Sequence, residues 1–218
     1  MKSWPKEIKL AWENGKTSHA VSSTLRKTRR YQMLNTAFKK ASYEDLNSIP
    51  DNMIGEVIDG ELFAVPRPSF RHSNAVSGIT DEIRRPFQRG SGGPGGWVIL
   101  YEPEICMGEN ILAPDLAGWR KERLPKPPEQ NYTTVPPDWV CEALSPSTVR
   151  IDRIRKMPIY AQFGVLYAWL IDPVARTLEV FRLESGRWVL LSVHSENDIV
   201  RAEPFQEVEI ALQHLWWE

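Results

Sequence analysis

One acid stands inside an apolar run, Trp139-Val140-Cys141-Glu142-Ala143-Leu144. A run this apolar does not suit a surface strand; it reads as a central strand of a sheet covered on both faces. Side chains alternate along a strand, so Val140, Glu142 and Leu144 share one face. A carboxylate buried there without a partner shifts its pKa or costs several kcal/mol, so a cation or tight hydrogen bonds are implied.

The flanking elements fit a covered sheet. Ser42 heads a helix start at Ser42-Tyr43-Glu44-Asp45. IGEVIDGELFAV, residues 54–65, reads as two short strands around Asp59-Gly60, a pair suited to a type I′ hairpin turn. In that register Glu56 faces Phe63. Val76, Ile79, Ile83 and Phe87 recur at helical spacing, with His72 one turn earlier on the same stripe. The glycine-rich RGSGGPGG, residues 89–96, lacks the GK[ST] ending of a phosphate-binding loop and reads as a flexible connector. Strands follow over Trp97–Tyr101 and Ile111–Trp119, the latter with Asp115 near its middle. The proline-rich segment Leu124–Pro137 is a loop. After the acid-bearing strand, Ser147 or Thr148 caps a helix that carries Asp152 and Lys156 four apart, and Pro158 kinks it or starts a second segment. The chain then returns to strands over Val165–Ile171, Thr177–Leu183 and Arg187–Val193, and a short helix over Ile210–Trp217 is expected to pack Trp216 and Trp217. Strands on both sides of two helices predict a mixed α/β sheet rather than a sandwich.

Charge divides the chain. Residues 1–40 hold ten Lys/Arg against Glu7 and Glu13, a balance of +8, although the whole chain carries −1. Residues 1–41 therefore read as a basic N-terminal arm, either a solvated extension or a phosphate-neutralising segment, and residues 42–218 as the domain proper. With 42% hydrophobic and 25% charged residues, the chain as a whole reads as an ordinary globular protein. It has no apolar stretch near membrane-span length and its start lacks a signal-peptide core, so a cytoplasmic location and no membrane partner are expected. Cys106 and Cys141 have no metal-ligand or disulfide spacing and read as buried free thiols.

Asp115, Glu142 and Lys156 come from neighbouring elements. A hard cation such as Mg²⁺ is held by one or two carboxylates, with water and substrate phosphate completing the shell, and a nearby lysine steers charge. That set serves phosphodiester hydrolysis. Pro137-Asp138 is a second Pro-Asp pair, but Asp138 lies four strand residues before Glu142, about 13 Å away and too far to share one ion. Each residue also has a plainer reading: Asp115 ends a strand, Glu56 is a surface acid of the hairpin, His72 a core or helix-start histidine, and Lys156 pairs with Asp152 on a helix surface.

The stretches IGEVIDGELFAVPRP, Arg71-His72, LAPDLA, PPDWVCEALSPST and RIDRIRKMPIYAQFGVLYAWLIDPVARTLEVFRL resemble the Uma2 family of putative restriction endonucleases, within the PD-(D/E)XK nuclease superfamily. The resemblance spans about residues 42–215. It implies a restriction-endonuclease-like core, a central mixed β-sheet flanked by helices, with N-terminal and C-terminal hairpin additions. It further implies Mg²⁺, or Mn²⁺, on Asp115 and Glu142 with the Ala143 carbonyl as third ligand, Glu56 as an outer metal or water ligand, and a family histidine at His72. Leu144 stands where the (D/E)XK lysine belongs, and Lys156 on the helix would supply that charge. DNA is the implied substrate, cut by a homodimer that pairs two sites. A catalytically inactive nuclease-fold module that binds nucleic acid or protein is the alternative, as is a hydrolase of another phosphorylated substrate.

Overall fold

The computed structural model describes residues 40–217. The basic arm lies outside the described residues except for Lys40 and Ala41.

Helix α1 (Tyr43–Leu46) is a single turn, entered through Ser42, whose main-chain N–H and hydroxyl both donate to Asp45 Oδ2 at 2.7 and 2.9 Å. Strands β1 (Met53–Ile58) and β2 (Glu61–Pro66) form the hairpin, with Glu56 opposite Phe63. Asp59 and Gly60 take φ of 54° and 78° at its turn, as a type I′ turn requires. Helix α2 (Phe70–Ile83) starts at Ser69, whose Oγ accepts from the His72 N–H, and buries His72, Ala75, Val76, Ile79 and Ile83. It runs into a widened, π-type turn at Arg84–Gln88. Pro86 in that turn has no N–H to return to the carbonyl four residues back, which explains the widening. The glycine segment then folds over the turn: a Cβ on Gly93 would stand 2.4 Å from Pro86 Cβ.

Strands β3 (Trp97–Tyr101), β4 (Glu104–Met107), β5 (Asn110–Leu112), β6 (Leu116–Arg120), β7 (Tyr132–Thr133) and β8 (Trp139–Ala143) follow. Helix α3 (Val149–Ile151), a second π-type segment at Asp152–Lys156 and helix α4 (Met157–Gln162) then form one continuous helical unit. Strands β9 (Tyr167–Asp172), β10 (Thr177–Glu184) and β11 (Arg187–Ser195) come next, and β12 (Ile199–Val200) pairs with β13 (Ile210–Ala211) ahead of a 3₁₀ turn at Leu212–Leu215.

Six strands make the central sheet in the order β11-β10-β9-β8-β6-β3, mixed because β8 and β9 are parallel and the other neighbours antiparallel. The hairpin belongs to a separate five-stranded sheet, β2-β1-β5-β4-β7. Strand β8 is buried along its whole length, and its alternation feeds two cores. Trp139, Cys141 and Ala143 pack with Val76, Phe87 and Trp169 on one face; Val140 and Leu144 pack with Trp119, Met157 and Tyr160 on the other. Glu142 belongs to the second face, under the helical unit.

Three local readings of the sequence need correction. The strand expected over Ile111–Trp119 is two, β5 and β6, in different sheets, because Pro114 lacks the N–H a continuing ladder needs. The last apolar segment is a two-residue strand and a 3₁₀ turn; it buries Trp216 but leaves Trp217 exposed. Cys141 is buried, whereas Cys106, on a strand of the outer sheet, is only half-buried; both thiols are free. Burial pushes the Cys141 thiol pKa far up and the Cys106 thiol up to a lesser degree.

Candidate active site

The break between β5 and β6 builds the site. Strand β6 begins only at Leu116, so beside Ala143 the edge of β8 lacks a neighbouring strand. The Asp115 carboxylate fills that place: the Ala143 N–H donates to Asp115 Oδ2 at 2.7 Å. Asp115 Oδ1 faces His72 Nε2 at 3.2 Å. Burial draws the His72 pKa down, but the hydrogen bond and charge of Asp115 outweigh it, so the net shift is upward. His72 Nδ1 is buried without a well-formed hydrogen bond, although the Ala143 carbonyl is near enough to add to the upward pull.

Lys156 closes the other side. Its Nζ lies 2.8 Å from Glu142 Oε1, 3.1 Å from Glu56 Oε1 and 3.5 Å from Asp152 Oδ1. The ammonium thus arrives from the helical unit beside the strand acid. Lys156 and Glu142 are 3% and 2% exposed. Burial alone would lower the Lys156 pKa, yet the charges of Glu142 and Glu56 hold it well above the ordinary lysine value. Glu142 is pushed well above the carboxylate range by burial, with Lys156 opposing. Asp152 is raised for the same reason, again against Lys156. The pairing of Lys156 with Asp152 and its reach to Glu142 therefore coexist in one buried cluster.

Sequence reasoning missed Tyr160. Its buried hydroxyl donates to Glu142 Oε1 at 2.5 Å. It stands four residues after Lys156, so projecting the helix would have put both on one face. Glu102 was also unread; it lines the same cleft at φ 42°, with Oε1 buried and unpartnered. Asp138, by contrast, accepts from the Arg120 N–H and pairs with Arg123, which fixes a loop. Glu56 also accepts from the Ala113 N–H at 2.8 Å, so it ties the hairpin to the residues before Asp115.

Glu56, His72, Asp115, Glu142, Ala143, Asp152 and Lys156 line one cleft of about 250 Å³, together with Arg67 and Ser145 to Thr148. With Glu102, five carboxyl side chains thus share the cleft with a single lysine. Among the described residues no three His, Cys, Asp or Glu side chains are grouped so as to hold an ion. A cation here would rest on Asp115 and Glu142, with main-chain oxygen and water. That all-oxygen donor set fits a hard divalent ion. The Tyr160 and Lys156 contacts of Glu142 both fall on Oε1, which leaves Oε2 as the oxygen for such a ligand.

The comparisons agree with this geometry in fold. The family model described as Uma2, putative restriction endonuclease, matches residues 41–213. A crystal structure of a putative nuclease belonging to DUF820 from Anabaena variabilis superposes with a TM-score of 0.64 at 21% identity, covering 80% of this chain and 97% of that one. The mixed α/β fold is therefore shared with that protein. No curated protein matches the sequence.

Proposed function

Because the chain belongs to the Uma2 family of putative restriction endonucleases, a nuclease-like family, we propose that it is a metal-dependent endonuclease that hydrolyses DNA phosphodiester bonds. The observation that carries this reading is the approach of the Lys156 ammonium to Glu142, 2.8 Å away, in the cleft that also holds Asp115.

In this reading Asp115 and Glu142 hold Mg²⁺ or Mn²⁺, with the Ala143 carbonyl as a third oxygen. The bound cation supplies Lewis acidity to the scissile phosphate. Lys156 remains an ammonium, since its carboxylate neighbours raise its pKa; it acts as a fixed positive charge toward phosphate and water rather than as a proton acceptor. Such a charge is most effective in a dry, preorganised cleft. His72 orients the Asp115 carboxylate, Tyr160 orients that of Glu142, and Glu56 with Asp152 steadies the ammonium. Two copies, each with one site, would cut both strands.

One observation favours a second reading, a nuclease-fold module without catalysis. Both oxygens of Asp115 and one of Glu142 already have protein partners, so the cluster is self-satisfied to a large degree. Calorimetric titration with Mg²⁺ and Mn²⁺ separates the two. The enzyme reading expects binding that Asp115→Ala abolishes; no binding by the wild-type chain would favour the module.

Among the described residues no helix is long and apolar enough to cross a membrane.

A further inference from the structure

Phe70 opens helix α2 between Ser69 and His72, both of which line the cleft, and it is 84% exposed. Trp217, 55% exposed, stands against it with ring centroids 6.4 Å apart and planes tilted by 59°. Phe70 belongs to a helix, and the chain is anchored as far as Trp216, the residue before Trp217. Leu215 accepts a hydrogen bond from Asn74 of α2 at 3.1 Å, and the neighbouring Trp216 is buried, its indole bonded to the Glu196 carbonyl. Two adjoining aromatic side chains are thus exposed to solvent next in sequence to Ser69 of the cleft, although neither lines the cleft itself.

A single exposed apolar side chain needs no explanation. An aromatic pair that adjoins cleft residues in sequence and has arginines beside it is a different matter. Arg71, the next residue, is exposed and makes no ion pair among the described residues, and Arg67 lines the cleft. Guanidinium groups suit phosphates, while aromatic faces suit bases, which every nucleotide carries.

We propose that Phe70 and Trp217 form a stacking platform for a base of the nucleotide adjacent to the scissile phosphate, so the preferred substrate is single-stranded or locally unpaired nucleic acid. In a duplex each base face is covered by its neighbours, and a side chain reaches it only when the base leaves the stack. This inference rests on the nuclease reading of the cleft, but its test does not depend on cleavage.

The test is equilibrium binding of short labelled oligonucleotides to the full chain in EDTA, read by fluorescence anisotropy. Three probes of equal length are compared: a single strand, its duplex, and a strand whose sugars lack bases. Wild type is expected to bind the single strand about tenfold or more tighter than the abasic strand, within the range that one to two stacked bases supply. Phe70→Ala with Trp217→Ala should erase that preference and leave abasic binding unchanged. Phe70→Trp with Trp217→Phe should keep it, and since Phe70 is so exposed neither pair should disturb the fold. Equal wild-type binding of base-bearing and abasic strands, tighter binding of duplex, no binding at all, or an undiminished preference in the double alanine variant would overturn the platform. So would a wild-type dimer that the alanine variant dissociates, which would assign the pair to contact between copies. Failure of the nuclease reading shows differently, as an absence of Mg²⁺-dependent cleavage while the base preference persists.

Discussion

Replacing Lys156 with methionine is expected to destabilise the fold by about 3–5 kcal/mol in EDTA, the cost of removing one partner from a buried ion pair. Methionine fills the space of the stem but leaves Glu142 and Glu56 without the ammonium now 2.8 and 3.1 Å away. Against a total stability of about 5–15 kcal/mol for a domain, that is a large share. The deficit has a pH signature. Lys156 lowers a Glu142 pKa that burial raises, so its loss lifts that pKa further. A carboxyl with a raised folded pKa is most stabilising below its unfolded value, about 4.3, and that contribution fades as pH climbs through the folded value. The variant should therefore be less destabilised at pH 5 than at pH 8. Mg²⁺ should restore part of the loss by replacing the missing charge. Guanidinium unfolding with and without Mg²⁺ measures all three effects; a loss below about 1 kcal/mol would show that the cluster contributes little net.

The second large effect is on chemistry. Glu142→Ala should reduce Mg²⁺-dependent DNA cleavage by roughly 10³-fold or more, the scale seen when a group that stabilises developing charge is removed. Its fold should survive: Lys156 keeps Glu56 at 3.1 Å and Asp152 at 3.5 Å, and the exchange removes a buried carboxylate rather than stranding one. Cleavage of supercoiled DNA, with circular dichroism as the control on folding, is the measurement. Wild-type rates in the variant would remove Glu142 from the chemistry.

What the sequence disclosed follows from how local each signal is. The hairpin at Asp59-Gly60 and the two-faced alternation of Trp139 to Leu144 rest on neighbouring residues, and both were legible. The division into two sheets was not, because it depends on pairings such as Val57 with Ile111, far apart in the chain. Asp115 was read inside one strand; it stands at a strand break, and that break is what frees its carboxylate to cap Ala143. The four-residue spacing of Asp152 and Lys156 allowed both a helical pair and a reach back to Glu142; the structure has both, and the lysine also meets Glu56, a hundred residues earlier. No local pattern announces such a contact. Tyr160 was within reach, since its spacing from Lys156 is regular.

The central claim is that Asp115 and Glu142 share one divalent cation beside Lys156. Anomalous scattering from crystals soaked in Mn²⁺ tests it most directly. The account predicts one peak in the cleft, about 2.1 Å from a carboxylate oxygen of Asp115 and of Glu142, lost in Glu142→Ala. A peak bound elsewhere, or an intact Lys156 cluster with no peak between the two acids at saturating Mn²⁺, would contradict it.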